Sequence, residues 1–168
     1  MSTAAWFHCG AGTAGDMTLA SLIDAGADSL QVIEILGGLA LDDYALMFER
    51  TQRAGVGATR AIVAVHDHDD HDHDDHDHDD HRAWRDIKQL LIDSELPARV
   101  RERALKVFAI LAEVEANIHG VAIDDIEFHE VGSVDAIVDI VGVCAALEVL
   151  KIERIFCSNI AVGHGHIN

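Results

Sequence analysis

Apolar positions along this chain change their period several times, and each change predicts an element. Residues 4–9 form a short, largely apolar run entering the turn Gly10-Ala11-Gly12-Thr13-Ala14-Gly15. That pattern predicts a strand leading to a helix over about residues 17–25, with Asp16 as its cap and Gly26 as its stop. Leu30, Ile33 and Leu36 recur at helical spacing, which predicts a second helix over residues 29–36, ended by Gly37-Gly38. Residues 45–52 and 59–65 read as two strands joined by Ala54-Gly55-Val56-Gly57, a hairpin whose pairing would extend a sheet.

Helical periodicity returns over residues 83–93 and again over 97–119, where Pro97 suits a first turn and Gly120 a stop. The apolar face of the longer helix is expected to comprise Val100, Ala104, Val107, Phe108, Leu111, Val114 and Ile118. Residues 133–150 are apolar on most sides, so this helix should be buried, and residues 154–160 read as a closing strand. Strands mixed with helices over short connections predict an α/β (or α+β) domain, a layered sheet with packed helices. Residues 1–65 and 82–168 would form that one domain, with residues 66–81 inserted in it.

The insertion is the one stretch without a hydrophobic pattern. His66-Asp67-His68-Asp69-Asp70 is repeated as residues 71–75 and 76–80 and closed by His81. Such a segment cannot bury a core and is expected to be a solvated loop. Neutral imidazole is a favoured ligand for nickel, zinc, copper and cobalt ions, and carboxylates add charge. His66, His68, His71, His73, His76, His78 and His81 therefore predict metal capture, and the irregular geometry of a loop suits a relay or store better than a catalytic centre.

The tract also accounts for much of the charge. The formal net charge is −18, and nine of the thirty acidic residues lie between Asp67 and Asp80. No Lys/Arg stripe is available to meet nucleic acid or an anionic membrane, so neither partner is expected. No apolar run reaches the roughly 18 residues of a membrane span. Cys9, Cys144 and Cys157 are odd in number and far apart, which argues against a disulfide framework and for a reducing cytoplasm.

Outside the tract, several positions are candidates for ordered chemistry. Glu115 and His119 lie four apart on one helix face and could share a metal ion, although a surface pair has the same spacing. Asp135 and Asp139 share a face of the apolar helix, and buried carboxylates are costly unless paired, protonated or metal-bound; one of them could equally cap the helix. His129 and Glu130 precede that helix, where they could complete a mixed nitrogen and oxygen site. The glycine turn, with Gly12, Gly15 and Asp16, could approach a nucleotide phosphate, but a tight strand-to-helix turn needs glycine anyway. His164-Gly165-His166 is a weaker metal signal.

Three motifs, in order, resemble one family. They are Ala11-Gly12-Thr13-Ala14-Gly15-Asp16-Met17 with Asp24-Ala25-Gly26, then residues 112–120 (AEVEANIHG), then residues 128–142 (FHEVGSVDAIVDIVG). Together with the His-rich insertion they resemble the N-terminal part of the nickel insertion proteins of nickel-pincer cofactor synthesis, the LarC family. The resemblance implies nickel insertion into a pyridinium bis-thiocarboxylate mononucleotide, a lyase-class reaction that forms nickel–sulfur and nickel–carbon bonds with hydrolysis of CTP, which would act with Mg2+ or Mn2+. Forming a nickel–carbon bond requires loss of a ring proton, hence a base such as His129 or Glu130, while Asp135, Asp139 or His119 would hold the metal.

His8 stands where the family tends to carry an acidic residue, and the chain stops at Asn168. The region that in the family handles the cytidine nucleotide is expected either to come from a C-terminal partner chain or, in a truncated relic, to be missing. Two other readings stay open: a non-catalytic nickel or divalent-metal chaperone or store, and a nucleotide-binding regulator using the glycine turn.

Overall fold

The computed structural model describes residues 3–42, 44–65, 82–128 and 131–162. It is an α/β structure, as the alternation of periods predicts. In chain order the elements are β1 (Thr3–Phe7), α1 (Gly15–Asp24), α2 (Ser29–Leu36), β2 (Tyr44–Arg53), β3 (Val56–Val65), β4 (Arg82–Ala83), α3 (Trp84–Asp93), α4 (Ala98–His119), β5 (Glu127–Phe128), α5 (Val134–Val149) and β6 (Ile152–Cys157). Among the described residues no helix is long and apolar enough to cross a membrane.

The core is built around α5. Ile137, Val138, Val141 and Ala145 are fully buried, and α1, α2 and α4 all pack against this helix. Gly142 makes the approach of α1 possible, because a Cβ there would stand 2.9 Å from Cδ2 of Leu19. The cap is Ser133, whose hydroxyl accepts the Ala136 N–H at 3.3 Å.

Helix α4 buries a narrower face than its hydrophobicity suggests. Val100, Ala104, Phe108, Ala112 and Ala116 form the buried stripe at four-residue spacing, whereas Val107, Val114 and Ile118 are 38%, 52% and 75% exposed. The alanines decide this: small side chains let neighbouring helices come close, so the bulky residues are turned outward. Phe108 is anchored by Phe128, ring centroids 6.2 Å apart. Gly120 ends the helix in the left-handed region at φ 70°.

The strands form three two-stranded sheets among the described residues. β1 and β6 run parallel, β2 and β3 make an antiparallel hairpin, and β4 pairs antiparallel with β5. The hairpin therefore does not extend the sheet that begins with β1. Its turn is also tighter than the glycine pattern suggested: only Ala54 (φ 48°) and Gly55 (φ 81°) are outside the strands. Both are left-handed, the two-residue geometry that matches the twist of paired strands.

Asp24, the last residue of α1, fastens the hairpin to the core. It accepts the Thr59 N–H at 2.8 Å, the Thr59 hydroxyl at 2.7 Å and Nη1 of Arg50 at 2.6 Å. The Thr59 hydroxyl, above all, holds its carboxyl below the usual value, and the same residue's N–H and Arg50 add to the effect against the opposing pull of burial. β6 starts two residues before the expected strand, because Lys151 adopts φ 55° directly after α5 and turns the chain into the sheet.

Candidate functional site

Two helix beginnings meet where α1 crosses α5. Asp139 lies in the second turn of α5, only 8% exposed, within the most apolar helix of the chain. Its side chain is pressed against the first residue of α1: a Cβ on Gly15 would lie 2.6 Å from Asp139 Oδ2 and 2.8 Å from Asp139 Cβ. No residue larger than glycine fits there without moving the helix.

The Asp139 carboxylate accepts the backbone N–H of Asp16, while Oδ1 is buried without a hydrogen-bond partner. Burial, followed by the negative charges of Asp135 and Asp16, pushes its pKa up from 3.8 to about 7. Three acidic side chains thus share one corner, and the most buried of them lacks compensation. A proton or a cation satisfies such a group; a phosphate does not.

Asp16 is not the cap of α1. Ala14 holds that position with no side-chain hydrogen bond, and Asp16 sits in the first turn, where its charge faces the helix dipole while its N–H serves Asp139. The glycine turn is likewise occupied by its own backbone. Gly12, at φ 87°, donates its N–H to the Cys9 carbonyl at 3.1 Å, and the Ala161 N–H reaches the same carbonyl at 3.0 Å.

Glu115 and His119 stand one turn apart on α4, the first half-buried and the second exposed. Among the described residues no three His, Cys, Asp or Glu side chains are grouped to hold a metal ion. Asp16, Asp135 and Asp139 are near enough to feel one another's charge but do not form a closed ligand set, and Glu115 and His119 do not join them. His129, Glu130, the tract from His66 to His81, and His164 and His166 lie outside the described residues.

The residues flanking these segments are informative. Arg82 follows His81 directly, and Phe128 precedes His129 directly; the two are paired across β4 and β5. Arg82 Nη1 also donates to the Gly132 carbonyl at 3.2 Å, and a Cβ on Gly132 would stand 2.9 Å from both Arg82 N and Phe128 O. The root of the His/Asp tract is thereby joined to the short connection that leads into α5 and its two aspartates.

The nickel insertion protein family model covers residues 5–168. The chain belongs to the nickel insertion protein family. Two relatives, from Staphylococcus epidermidis (strain ATCC 12228 / FDA PCI 1200) and Staphylococcus saprophyticus, are each named pyridinium-3,5-bisthiocarboxylic acid mononucleotide nickel insertion protein. The first is 39% identical over 168 residues, covering 100% of this chain, and the second 40% identical over 170 residues, covering 99%. This family member spans about 40% of the length of those relatives. No solved structure matches it.

The Gly15–Asp139 contact was not foreseen as a pair. Each residue drew attention by itself, Gly15 as a turn glycine and Asp139 as a carboxylate in an apolar helix. Nothing in a single sequence says that they touch.

Proposed function

We propose that this chain is the nickel-capturing and substrate-handling part of a nickel insertion enzyme, acting on a pyridinium bis-thiocarboxylate mononucleotide to form a nickel-pincer cofactor. The observation that carries the reading is the buried, uncompensated Oδ1 of Asp139 beside Asp135 and Asp16. That corner attracts a divalent cation and releases the proton that Asp139 holds below about pH 7.

In this reading the His/Asp tract collects nickel and raises its local concentration next to α5, as a tether does for any attached ligand. Asp135 and Asp139 supply carboxylate oxygens, and Glu115 and His119 serve as a neighbouring pair on the transfer path. His129 or Glu130 takes the proton that leaves the pyridinium ring carbon as the nickel–carbon bond forms, while the two thiocarboxylate sulfurs become metal ligands. Gly12, Gly15 and Asp16 fix the other side of the site; the acidic corner favours the metal end of the substrate there over its phosphate. CTP, with Mg2+ or Mn2+, belongs to a C-terminal partner region, and forming a metal–carbon bond places the complete enzyme among the lyases. The three free cysteines suit a reducing cytoplasm.

Replacing His129 by Ala and Glu130 by Gln in the complete system should reduce the nickel-bearing product, followed by mass spectrometry, by about a hundredfold. Undiminished insertion contradicts the base assignment. The rival reading, a nickel chaperone or store without catalysis, is favoured by the three-fold regularity of the tract. Deleting residues 65–80 separates the two: an insertion enzyme retains activity at high nickel, whereas a store loses its capacity.

A further inference from the structure

The β1–β6 sheet is unusual in what it leaves uncovered. Parallel strands normally lie in sheets with helices on both faces, and a two-stranded sheet is marginal without further packing. Here β1 and β6 pair only with each other among the described residues, and β6 is exposed from Glu153 to Cys157. The register sets Trp6 beside Phe156, at 67% and 42% exposure, on one face. On the other, Phe7 and Ile155 form one wall of an open apolar trough of about 500 Å³ whose remaining sides include Val107, Ile110 and Ile140.

We propose that this sheet and trough are the docking surface for the polypeptide that, in the curated relatives, lies outside the matched 40% of their length. The arriving chain adds a strand to the open edge and packs apolar side chains into the trough. Exposed strand edges present rows of N–H and C=O groups that a strand satisfies and a small molecule does not. The place is also continuous with the chain: residues 158–161 run beside β1, with Ser158 N–H on the Phe7 carbonyl at 2.9 Å and Ala161 N–H on the Cys9 carbonyl at 3.0 Å. The last described residues therefore lie beside this sheet. The inference rests on the reading above that a C-terminal partner region completes the enzyme, and it names the surface that receives it.

The test is co-expression of the full chain with the region of the Staphylococcus epidermidis relative beyond the match, only the latter tagged, followed by light scattering of what co-purifies. The proposal expects a one-to-one complex, kept by Leu30→Glu on distant α2 and weakened about a hundredfold by Ile155→Glu and by Trp6→Glu. Both positions are exposed, and unchanged far-UV circular dichroism of each variant shows that it folds. No complex with the parent chain, or a complex indifferent to both patch variants, overturns the proposal. So does a homodimer of the chain alone that the same variants dissociate, since the occupant is then a second copy. Nickel titration of the same samples keeps the two readings apart. A complex without a tight nickel site removes the metal assignment and leaves the surface; a tight site without a complex does the reverse.

Discussion

Asp139→Asn changes one atom of the candidate site and has a calculable effect. In the folded chain the carboxyl titrates at about 7, against 3.8 for its ordinary value. Between those values the folded state keeps a proton that the unfolded chain has released, so this group's contribution is complete below pH 4 and is lost as pH rises toward 7. One unit of pKa is worth about 1.4 kcal/mol, so the whole window amounts to roughly 4 kcal/mol, of which about 3 kcal/mol lies above pH 5. Asparagine accepts the Asp16 N–H through its amide oxygen and carries no charge. The variant should therefore gain up to about 3 kcal/mol over the parent on going from pH 5 to pH 8, read from urea unfolding without metal. Nickel at about a hundred times its Kd should add about 2.7 kcal/mol to the parent at pH 8 and little to the variant. Parallel stability profiles for the two proteins would mean that Asp139 is neither desolvated nor crowded by charge.

Gly15→Ala drives a methyl into Asp139 at 2.6–2.8 Å, so it should cost about 1–3 kcal/mol and weaken nickel binding together with thermal stability, measurable by calorimetry. Asp24→Ala removes the three bonds that hold the hairpin to α1; a loss of about 1–2 kcal/mol is expected, with faster hydrogen exchange in β3. Because Asp24 is held below its usual pKa, its contribution is present above pH 4 and fades as pH falls, so the parent and this variant should converge in acid. Phe108→Ala empties a fully buried position and should cost about 3–5 kcal/mol in chemical unfolding.

Much of the architecture is legible in the residues. The helix over Ser29–Leu36 has the predicted limits and Gly120 ends α4 as expected, while Pro97 stands one residue outside the helix as its N-cap and not in its first turn. What sequence could not supply is partnership. Val100, Ala104 and Phe108 are buried as expected; Val107, Val114 and Ile118 look like core by hydropathy, yet alanines 112 and 116 are the ones that meet neighbours, because close packing rewards small side chains that a count of apolar bulk discounts. The hairpin is recognisable locally, but which sheet it joins depends on contacts distant in sequence. In the candidate site, Asp139 was visible as a carboxylate in an apolar helix; its dependence on the first turn of α1 required the fold. The roles of His129 and Glu130 rest on the family motif and on chemistry.

In the proposed function nickel has an ordered site at the junction of α1 and α5, distinct from the His/Asp tract. Calorimetric titration with nickel of the intact chain and of a chain lacking residues 66–81 tests it most directly, with Asp139→Asn in the shortened background. Shortening should lower the stoichiometry but leave one tight site, which Asp139→Asn then weakens. Disappearance of all nickel binding with the tract would contradict it and make the tract the sole metal-binding element.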